Sequence, residues 1–539
     1  MRLRGPLLII GFVAVAVLGY WLAGTAVPVQ SARKDLPKLQ VEPQRRGIAD
    51  EPALKFRSSE RPAAAQRDDA ALVAGALPWQ RIVVFKNQAA LENFLKRAGN
   101  KIHLMGRLDA LNALRIGFSN SDDLAGLFDG EAEASFIFPV SIPKPGDGTA
   151  QPGAVALGDG LLDWLGITGD NSTWGKGVRI AILDTGVTAS SAFGSKISSI
   201  NLVDLPADLS QQNGHGTAVA SMIIGQNPLT PGVAPGAEIL SFRIANDLGQ
   251  SDSYLLAQGI LAAVDAKPPI IIIIAMGSNA DSPLVRNAIE HAQAAGALIV
   301  AAAGNNGSEQ VSYPGANKGV ITVGAVDAKG NPMNFSNTGA EVDISAPGFG
   351  VNAAWTGDQA ARVSGTSFST PIVGGAIAAV KSWPGNENLT MQQAADVLFS
   401  YLNDGGELGK DPALGAGMPA LGRVQNARTP GIYDAAVASQ RIMPPSAGNP
   451  YGQLEVMVQN RGTETLINTS LRITTPAGVV TSNITSLPVN GVQAVRVPIP
   501  QPTSSGMSYN SVVKLSGGRT DALPSNDSRV ETYVPARSK

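Results

Sequence analysis

The stretch between residues 155 and 428 alternates short, continuous apolar runs with longer segments of helical periodicity. Such apolar runs are typical of strands that are covered on both faces of a parallel sheet. They read "VRIAILD", "AEILSFRI", "PPIIIIIAM", "ALIVAAAG" and "VITVGAV". Helical segments such as "SYLLAQGILAAVDA" lie between them. This alternation predicts an α/β domain over residues 150–428 with a doubly wound, mostly parallel sheet.

The pattern changes after Pro430, where the helical segments end. Short alternating strands follow, separated by Gly, Pro and Asn turns; in one of them Val495, Val497 and Ile499 fall on the same face. We predict an all-β sandwich over residues 430–539.

A small α+β module is predicted at residues 79–148. "RIVVFK" indicates a strand, "QAALENFLKRAG" an amphipathic helix, and "KIHLMGRLDALNALRIGFS" two strands with a turn. "SDDLAGLF" indicates a short helix and "ASFIFPVSIP" a final strand. The order βαββαβ is that of a ferredoxin-like module, and a Pro/Gly-rich hinge, "PKPGDGTAQPG", follows it.

The N-terminus carries an export or membrane signal. Arg2 and Arg4 precede a stretch without charge, and Tyr20 and Trp21 stand near the end of its apolar part. We favour an uncleaved membrane anchor over residues 1–27, with a signal peptide cleaved after Ala26 as the alternative. Residues 28–78 have mixed charge and no periodicity, which predicts a flexible linker.

Composition excludes several classes of function. The formal net charge of −2 over 539 residues offers no electrostatic case for nucleic-acid binding. Cysteine is absent, which excludes disulfides, thiol catalysis and thiolate metal sites. The chain has three histidines, His103, His215 and His291, so an imidazole base must be one of these. A multi-histidine metal site is nearly excluded, and we predict no metal and no cofactor.

Four polar residues follow or precede elements of the predicted sheet where ligands bind in open α/β folds. Asp184 ends "RIAILD", Asn305 follows "ALIVAAAG", His215 lies between two glycines at a helix start, and Ser367 opens another helix. Each alone is an ordinary turn or cap residue. Together they are the acid, base, nucleophile and oxyanion donor of a nucleophilic hydrolase.

At these residues the sequence resembles the subtilisin-like serine proteases, the subtilases. The matching blocks, in the order known from that family, are "AILDTGV", "NGHGTAVAS", "VAAAGNNG" and "SGTSFSTP". The resemblance covers residues 170 to 428. It implies that Ser367 is the nucleophile, His215 the general base, Asp184 the residue that orients the imidazole, and Asn305 the donor to the oxyanion.

The resemblance also implies a substrate groove. A strand of Ala275, Met276 and Gly277 would pair with an extended peptide, and Ala303, Gly304 and Ser312 would complete the pocket, which suits an apolar or medium-sized side chain. The sequence departs from the usual pattern in three places, namely Ala218, the pair Phe368-Ser369, and the substrate-pairing strand, which reads Ala275-Met276-Gly277. The loop "IIGQNPLTPG" lacks the carboxylates of the calcium loop that some relatives carry there.

The flanking modules also resemble known domains. The βαββαβ module is similar to the inhibitory propeptide of subtilases, which implies that its last strand occupies the groove and that the hinge is cleaved. An accessory domain that is never removed is the alternative. The C-terminal sandwich resembles bacterial Ig-like (CARDB-like) adhesion modules, with a role in stability or docking left open beside binding.

We therefore expect an exported serine endopeptidase made as a self-inhibited precursor, with a protein or peptide substrate and its own propeptide in cis as partners. The expected location is the inner membrane, facing the periplasm or the cell exterior, or the medium if the signal is cleaved. Three alternatives stay open: a catalytically silent scaffold, an adhesion protein that is only matured by proteolysis, and a transpeptidase.

Overall fold

The computed structural model describes residues 68–533 except 125–126, 129, 145–150, 195–196, 204–212, 267–269, 444–451 and 500–506. The predicted anchor or signal at residues 1–27, and the linker up to residue 67, lie outside this part of the chain. Within the described residues no helix has both the length and the apolar character needed to cross a membrane.

The N-terminal module is a four-stranded antiparallel sheet with the strand order β2-β3-β1-β4. Asn87 caps its long helix by accepting a hydrogen bond from the Ala90 N–H, and the buried face of that helix contributes Leu91 and Phe94 to the core. A 3₁₀ turn, Ser121–Leu124, stands where the second helix was predicted. The elements are α1 Asp69–Val73, β1 Gln80–Phe85, α2 Gln88–Ala98, β2 His103–Leu108, β3 Ala113–Gly117, β4 Ala132–Ser135 and β5 Pro139–Ser141.

The ordered module begins before the predicted boundary at residue 79. Helix α1 and the turn after it lie in what we predicted as linker. The Asp68 carboxylate holds them, because it accepts hydrogen bonds from Arg81 Nη1 at 2.8 Å and from the Trp79 N–H at 2.9 Å. The Arg81 hydrogen bond lowers the pKa of Asp68 to about 2. A partner thirteen residues away overrides the local composition that favoured a linker.

The central domain contains a seven-stranded, all-parallel sheet in the order β15-β14-β13-β12-β6-β10-β7. This confirms the predicted doubly wound α/β fold; the two edge strands, β7 and β15, were not among the predicted ones. The strands of the domain are β6 Arg179–Asp184, β7 Ile197–Asn201, β8 Gln226–Asn227, β9 Thr230–Pro231, β10 Glu238–Arg243, β11 Gln250–Asp252, β12 Ile270–Ile274, β13 Leu298–Ala302, β14 Val320–Val326, β15 Ile344–Pro347, β16 Val351–Ala354 and β17 Ala360–Val363.

Helices cover both faces of the sheet, which explains the run of isoleucines in β12. Ile271 and Ile273 pack on the face of α4, α7 and α8, while Ile270, Ile272 and Ile274 pack toward α5 and α6. The helices are α3 Leu161–Trp164, α4 His215–Ile224, α5 Ser253–Asp265, α6 Pro283–Ala294, α7 Thr366–Ser382, α8 Met391–Phe399 and α9 Leu421–Asn426.

The predicted final strand of the N-terminal module is two strands. β4 completes the sheet of the module, whereas β5 leaves it and pairs antiparallel with β11 of the central domain. The Ser253 N–H donates to the Phe138 carbonyl oxygen at 2.9 Å. This hydrogen bond lies where the chain passes from the sheet of the module to the central domain. A continuous apolar pattern cannot reveal this change of partner, because both halves are extended chain.

The C-terminal region is a β-sandwich, as predicted, with sheets β18-β19-β22 and β21-β20-β23-β24. Residues of both sheets form its core, among them Val456, Ile473, Val497, Ile499 and Val513. Strands β18 and β21 were not among the predicted ones. The strands are β18 Ala435–Met443, β19 Gln453–Asn460, β20 Leu466–Thr475, β21 Gly478–Leu487, β22 Val492–Pro498, β23 Met507–Lys514 and β24 Ser528–Tyr533.

Candidate active site

The sheet and two helices bring the predicted site residues to one edge of the central domain. Asp184 is the last residue of β6, His215 the first of α4, and Ser367 the second of α7. All three side chains are buried, as is Asn305, which follows β13. The carboxyl ends of parallel strands share one edge of a sheet, so residues far apart in sequence meet there.

Asp184 and His215 form a direct pair. His215 Nδ1 lies 2.9 Å from both carboxylate oxygens of Asp184. Because a carboxylate only accepts hydrogen bonds, Nδ1 is the donor of this pair, and in the neutral imidazole Nε2 is then the nitrogen that can accept a proton. Thr185 N–H donates to Asp184 Oδ1 at 2.7 Å, and His215 N–H donates to Asn213 Oδ1 at 2.9 Å, so both members of the pair are held from the backbone.

The two glycines beside His215 are required by close packing. A Cβ atom at Gly214 would lie 2.4 Å from the Trp355 ring, and one at Gly216 would lie 2.3 Å from the Gly186 carbonyl oxygen. Any larger residue at either position would push helix α4, and with it the imidazole, away from the sheet edge.

Ser367 points to the substrate groove rather than to the imidazole. Its Oγ donates to the Ala275 carbonyl oxygen at 2.9 Å. His215 Nε2 is buried and has no hydrogen-bond partner among the described residues. The Phe368 ring, one residue after the serine, lies 5.2 Å from the imidazole centre and packs against it. The hydrogen bond between serine and imidazole is therefore not formed in this arrangement.

Asn305 is oriented by Thr366, a residue that the sequence reasoning did not assign to the site. Its Oδ1 accepts hydrogen bonds from both the N–H and the Oγ1 of Thr366, each at 2.8 Å. This fixes the amide so that Nδ2 points outward, where it donates to the Pro143 carbonyl oxygen at 2.8 Å. The position of Thr366 directly before Ser367 was the only signal in the sequence.

Residues 139–143 lie in the groove like an extended peptide. Ser141 and Gly277 exchange two hydrogen bonds of 3.0 and 2.9 Å, and the Ile142 N–H donates to the Gly249 carbonyl oxygen at 3.0 Å. The segment is thus held from both sides, by Gly277 and by β11 with the residue before it. Main-chain pairing of this kind needs no particular side chain from the peptide.

The remaining predicted pocket residues divide into two groups. The side chains of Ala275, Met276 and Ala303 are fully buried in the core, so only their main-chain atoms can face a peptide. Gly277 and Ser312 line a cavity of about 590 Å³ beside Pro143. Gly304 has a φ of +110°, and a Cβ there would lie 2.5 Å from Ser312 Oγ, so glycine is required at this wall.

A buried ion pair joins the N-terminal module to the central domain. Arg115 Nη1 of β3 lies 2.9 Å from Asp252 Oδ2, and the two side chains are 14% and 9% exposed. The Arg115 guanidinium also stands 5.5 Å from the Tyr254 ring centre, and burial raises the pKa of Tyr254 to about 12. Sequence reasoning missed this pair, since its members are far apart in the chain.

No cluster of three or more His, Cys, Asp or Glu side chains in the described part of the chain could hold a metal ion.

Comparison with known proteins agrees with this geometry. The profile of the Subtilase family (Peptidase S8) matches residues 175–417. The Thermostable alkaline protease of Halalkalibacterium halodurans is 36% identical over 253 residues, which are 46% of this chain and 68% of that protein. The chain belongs to the subtilase family, the subtilisin-like serine endopeptidases. Subtilisin Savinase of Lederbergia lenta is 35% identical over 209 residues, 38% of this chain and 77% of the relative.

The match is confined to the subtilase domain. A solved structure, of a cold adapted subtilisin-like serine proteinase, aligns at a TM-score of 0.41 and 28% identity, covering 47% of this chain and 89% of that one. Both the N-terminal module and the C-terminal sandwich lie outside the residues that the family profile matches.

Proposed function

We propose that this subtilase is an exported endopeptidase made as a self-inhibited precursor, with Ser367, His215 and Asp184 as its triad and Asn305 as its oxyanion donor. The observation that carries the proposal is the hydrogen bond from Asn305 Nδ2 to the Pro143 carbonyl oxygen at 2.8 Å. A donor aimed at the carbonyl of a peptide in the groove is the arrangement that acyl transfer requires.

The proposed reaction follows from the groups at the site. Ser367 Oγ attacks the carbonyl carbon while its proton passes to His215 Nε2, and the developing oxyanion is stabilised by Asn305. The carbon–nitrogen bond then breaks, and His215 returns the proton to the leaving amine. Water repeats the sequence on the acyl-enzyme and releases the acid. Asp184 stabilises the imidazolium in both halves, because its carboxylate is buried against Nδ1.

The precursor proposal rests on the path of β5. Residues 79–148 would act as the inhibitory propeptide, since the segment 139–143 occupies the groove in the manner of a substrate. Of the hinge that we expect to be cut, residues 143–153, the stretch 145–150 lies outside the described residues. An accessory domain that stays attached remains the alternative.

The pocket beside Pro143 supports a neutral substrate side chain. On the side of the subtilase domain the cavity is lined by residues without charge, namely Gly277, Ser278, Asn279, Ala280, Asn305, Asn306 and Ser312. A charged side chain would lose its hydration there without gaining an ionic partner. We therefore expect cleavage after apolar or medium-sized neutral residues.

Export and anchoring are proposed from the sequence of residues 1–27. The uncleaved form would face the periplasm or the cell exterior, and a cleaved form would be secreted. For the C-terminal Ig-like sandwich we propose a role in docking and stability, supported by side-chain hydrogen bonds such as the one from Arg529 Nη2 to Asn331 Oδ1 at 2.6 Å.

The test uses the full-length chain with residues 145–150 replaced by the recognition sequence of a strictly specific cysteine protease. After cleavage, a fluorophosphonate probe is expected to label Ser367, and casein hydrolysis is expected to begin. Ser367→Ala should abolish both signals. Asn305→Ala should lower turnover by about 10²–10³, a magnitude measured in subtilisin itself.

Ser369→Ala is the matched control, since this hydroxyl lies in the same helix but donates to the Ala346 carbonyl oxygen at 2.9 Å, away from the groove. It should retain labelling and hydrolysis. An unlabelled, inactive chain after cleavage would instead favour the silent scaffold.

A further inference from the structure

The register of the strand in the groove determines which main-chain hydrogen bond residue 143 could form. Ser141 and Gly277 form a hydrogen-bonded antiparallel pair. In such a ladder the hydrogen-bonded pairs recur every second residue, so the next pair along is residue 143 with Ala275. An ordinary residue at 143 would donate its N–H to the Ala275 carbonyl oxygen. Pro143 has no N–H and cannot.

The acceptor that Pro143 leaves free is used by the nucleophile. Ser367 Oγ donates to the Ala275 carbonyl oxygen at 2.9 Å. A serine hydroxyl has a single proton, so a hydroxyl that donates to Ala275 does not donate to His215. In agreement with this, His215 Nε2 is buried without a partner among the described residues.

We propose that Pro143 makes this strand an inhibitor of its own groove instead of a good substrate, and so keeps the precursor latent. The inference rests on the proposed function. The Pro143 carbonyl already lies against Asn305 Nδ2. The bond that should break, between Pro143 and the nitrogen of Lys144, is therefore correctly presented while its nucleophile is turned away.

The reaction steps explain why cleavage between Pro143 and Lys144 would be slow. Cleavage forms the bond from Ser367 Oγ to the Pro143 carbonyl carbon, moves the hydroxyl proton to His215 Nε2, and delivers that proton to the Lys144 nitrogen as the peptide bond breaks. While the Ser367 hydroxyl donates its proton to the Ala275 carbonyl oxygen, His215 Nε2 has no proton to accept. A residue with an N–H at position 143 would compete for the Ala275 oxygen and release the hydroxyl to the imidazole.

Two consequences follow. The first maturation cut falls at another bond or is made by another protease, and the strand remains bound until then. In substrates, a residue with an N–H is preferred at the position that Pro143 occupies.

The first experiment follows conversion of the full-length precursor by intact mass. Pro143→Ala is expected to shorten its lifetime about five- to tenfold, the effect of one hydrogen bond of about 1–1.4 kcal/mol, with a new terminus at Lys144. A matched control keeps the imide at 143: Pro78→Ala makes the same change at an exposed position of the N-terminal module, outside the strand in the groove. It should not shorten the lifetime more than twofold.

The second experiment separates binding from chemistry, using the cleaved enzyme and two peptides with the sequence of residues 136–148, one with Pro and one with Ala at position 143. The KM values should agree within threefold, while kcat for the Ala peptide should be about five- to tenfold higher. Equal kcat values, or an unchanged lifetime for Pro143→Ala in an enzyme that digests casein, would overturn this inference alone. An enzyme that cuts no peptide and resists the fluorophosphonate would overturn the proposed function as well.

Discussion

The two modules that flank the subtilase domain are attached to it by different kinds of contact. The N-terminal module reaches the groove mainly through a strand whose main-chain groups pair with β11 and Gly277, and the buried ion pair of Arg115 with Asp252 adds a side-chain contact. The C-terminal sandwich is joined through side chains. Arg423 of α9 donates to the Leu402 carbonyl oxygen at 2.6 Å and also contacts Asn490 of the sandwich.

The difference indicates which module can be replaced. Main-chain pairing is open to any extended peptide, so a substrate can take the place of β5. The sandwich contacts require particular side chains; Gln459 Nε2, for example, donates to the Leu402 carbonyl oxygen at 3.0 Å while its Oε1 accepts from the Asp404 N–H at 3.0 Å. We interpret the first attachment as reversible and the second as permanent.

The sharpest test of the reversible attachment is Arg115→Met, which leaves Asp252 buried without its ionic partner. Breaking a buried pair costs about 3–5 kcal/mol. Asp252 also caps helix α5 by accepting from the Tyr254 and Leu255 N–H groups at 2.9 and 3.0 Å, and keeping these bonds places this case at the lower end. Opening of the groove should rise roughly a hundredfold, measured as the initial rate of fluorophosphonate labelling of the full-length chain.

Arg107→Met is the matched control from the neighbouring strand. Arg107 is 31% exposed and pairs with Glu92 at 2.7 Å within the module. An exposed pair contributes about 0.2–1 kcal/mol, so labelling should change less than fivefold. Equal acceleration by both variants would show that the Arg115 pair does not hold the groove closed.

Arg423→Met should weaken the permanent attachment without opening the groove. Burial lowers the pKa of Arg423 to about 9. Its removal leaves the Tyr401 carbonyl oxygen without its side-chain donor, while the Leu402 carbonyl oxygen keeps the hydrogen bond from Gln459. We expect the free energy of unfolding to fall by about 2–4 kcal/mol. Urea unfolding followed by fluorescence measures this loss, and the labelling rate of the full-length chain should stay unchanged. Faster labelling would mean that the two attachments are coupled.

The smallest expected effect is a pH dependence of the free energy of unfolding that arises at Asp404, next to the sandwich. Burial raises the pKa of Asp404 from its ordinary 3.8 to about 6. The folded protein therefore keeps a proton that the unfolded chain has released, and this contribution, present below pH 3.8, is lost as pH rises through 6. The pKa of Asp68 in the N-terminal module is lowered to about 2, so its contribution is lost only as pH falls through 2.

Between pH 4 and 7 the Asp404 contribution thus changes while that of Asp68 does not. Asp404→Asn should remove a stability decrease on the order of 1–2 kcal/mol across this range, after allowance for solvent screening. Urea unfolding at pH 4.5 and pH 7.5 measures the difference. The same pH slope in the variant and in the natural chain would contradict the assignment to Asp404.

Local patterns were sufficient for the architecture of the central domain. The five predicted strands correspond to β6, β10, β12, β13 and β14, because a strand buried on both faces must be continuously apolar. The two edge strands were missed for different reasons. β7 is largely exposed and reads "ISSIN", which lacks that signature, whereas β15 is buried but reads "ISAP", too short and too mixed to form an apolar run.

Part of the candidate site could also be predicted from the sequence. Asp184 ends a predicted strand and His215 begins a predicted helix, and both positions can be recognised from the residues around them. The structure brings the two side chains into contact. Thr366, Asp252 and Arg115 carry no such local mark. Each matters only because a partner from a distant segment meets it, as Arg115 meets Asp252 across two modules.

The sequence by itself determined which segments are buried strands, where the chain changes from α/β to all-β, and which hydroxyl, imidazole, carboxylate and amide stand at element ends. Only the tertiary structure decided that β5 crosses to the subtilase domain, that the Pro143 carbonyl faces Asn305, and that Ser367 turns to Ala275. Periodicity reports the environment of a residue along its own helix or strand. Hydrogen-bond partners across the groove depend instead on the register between two segments that are distant in sequence.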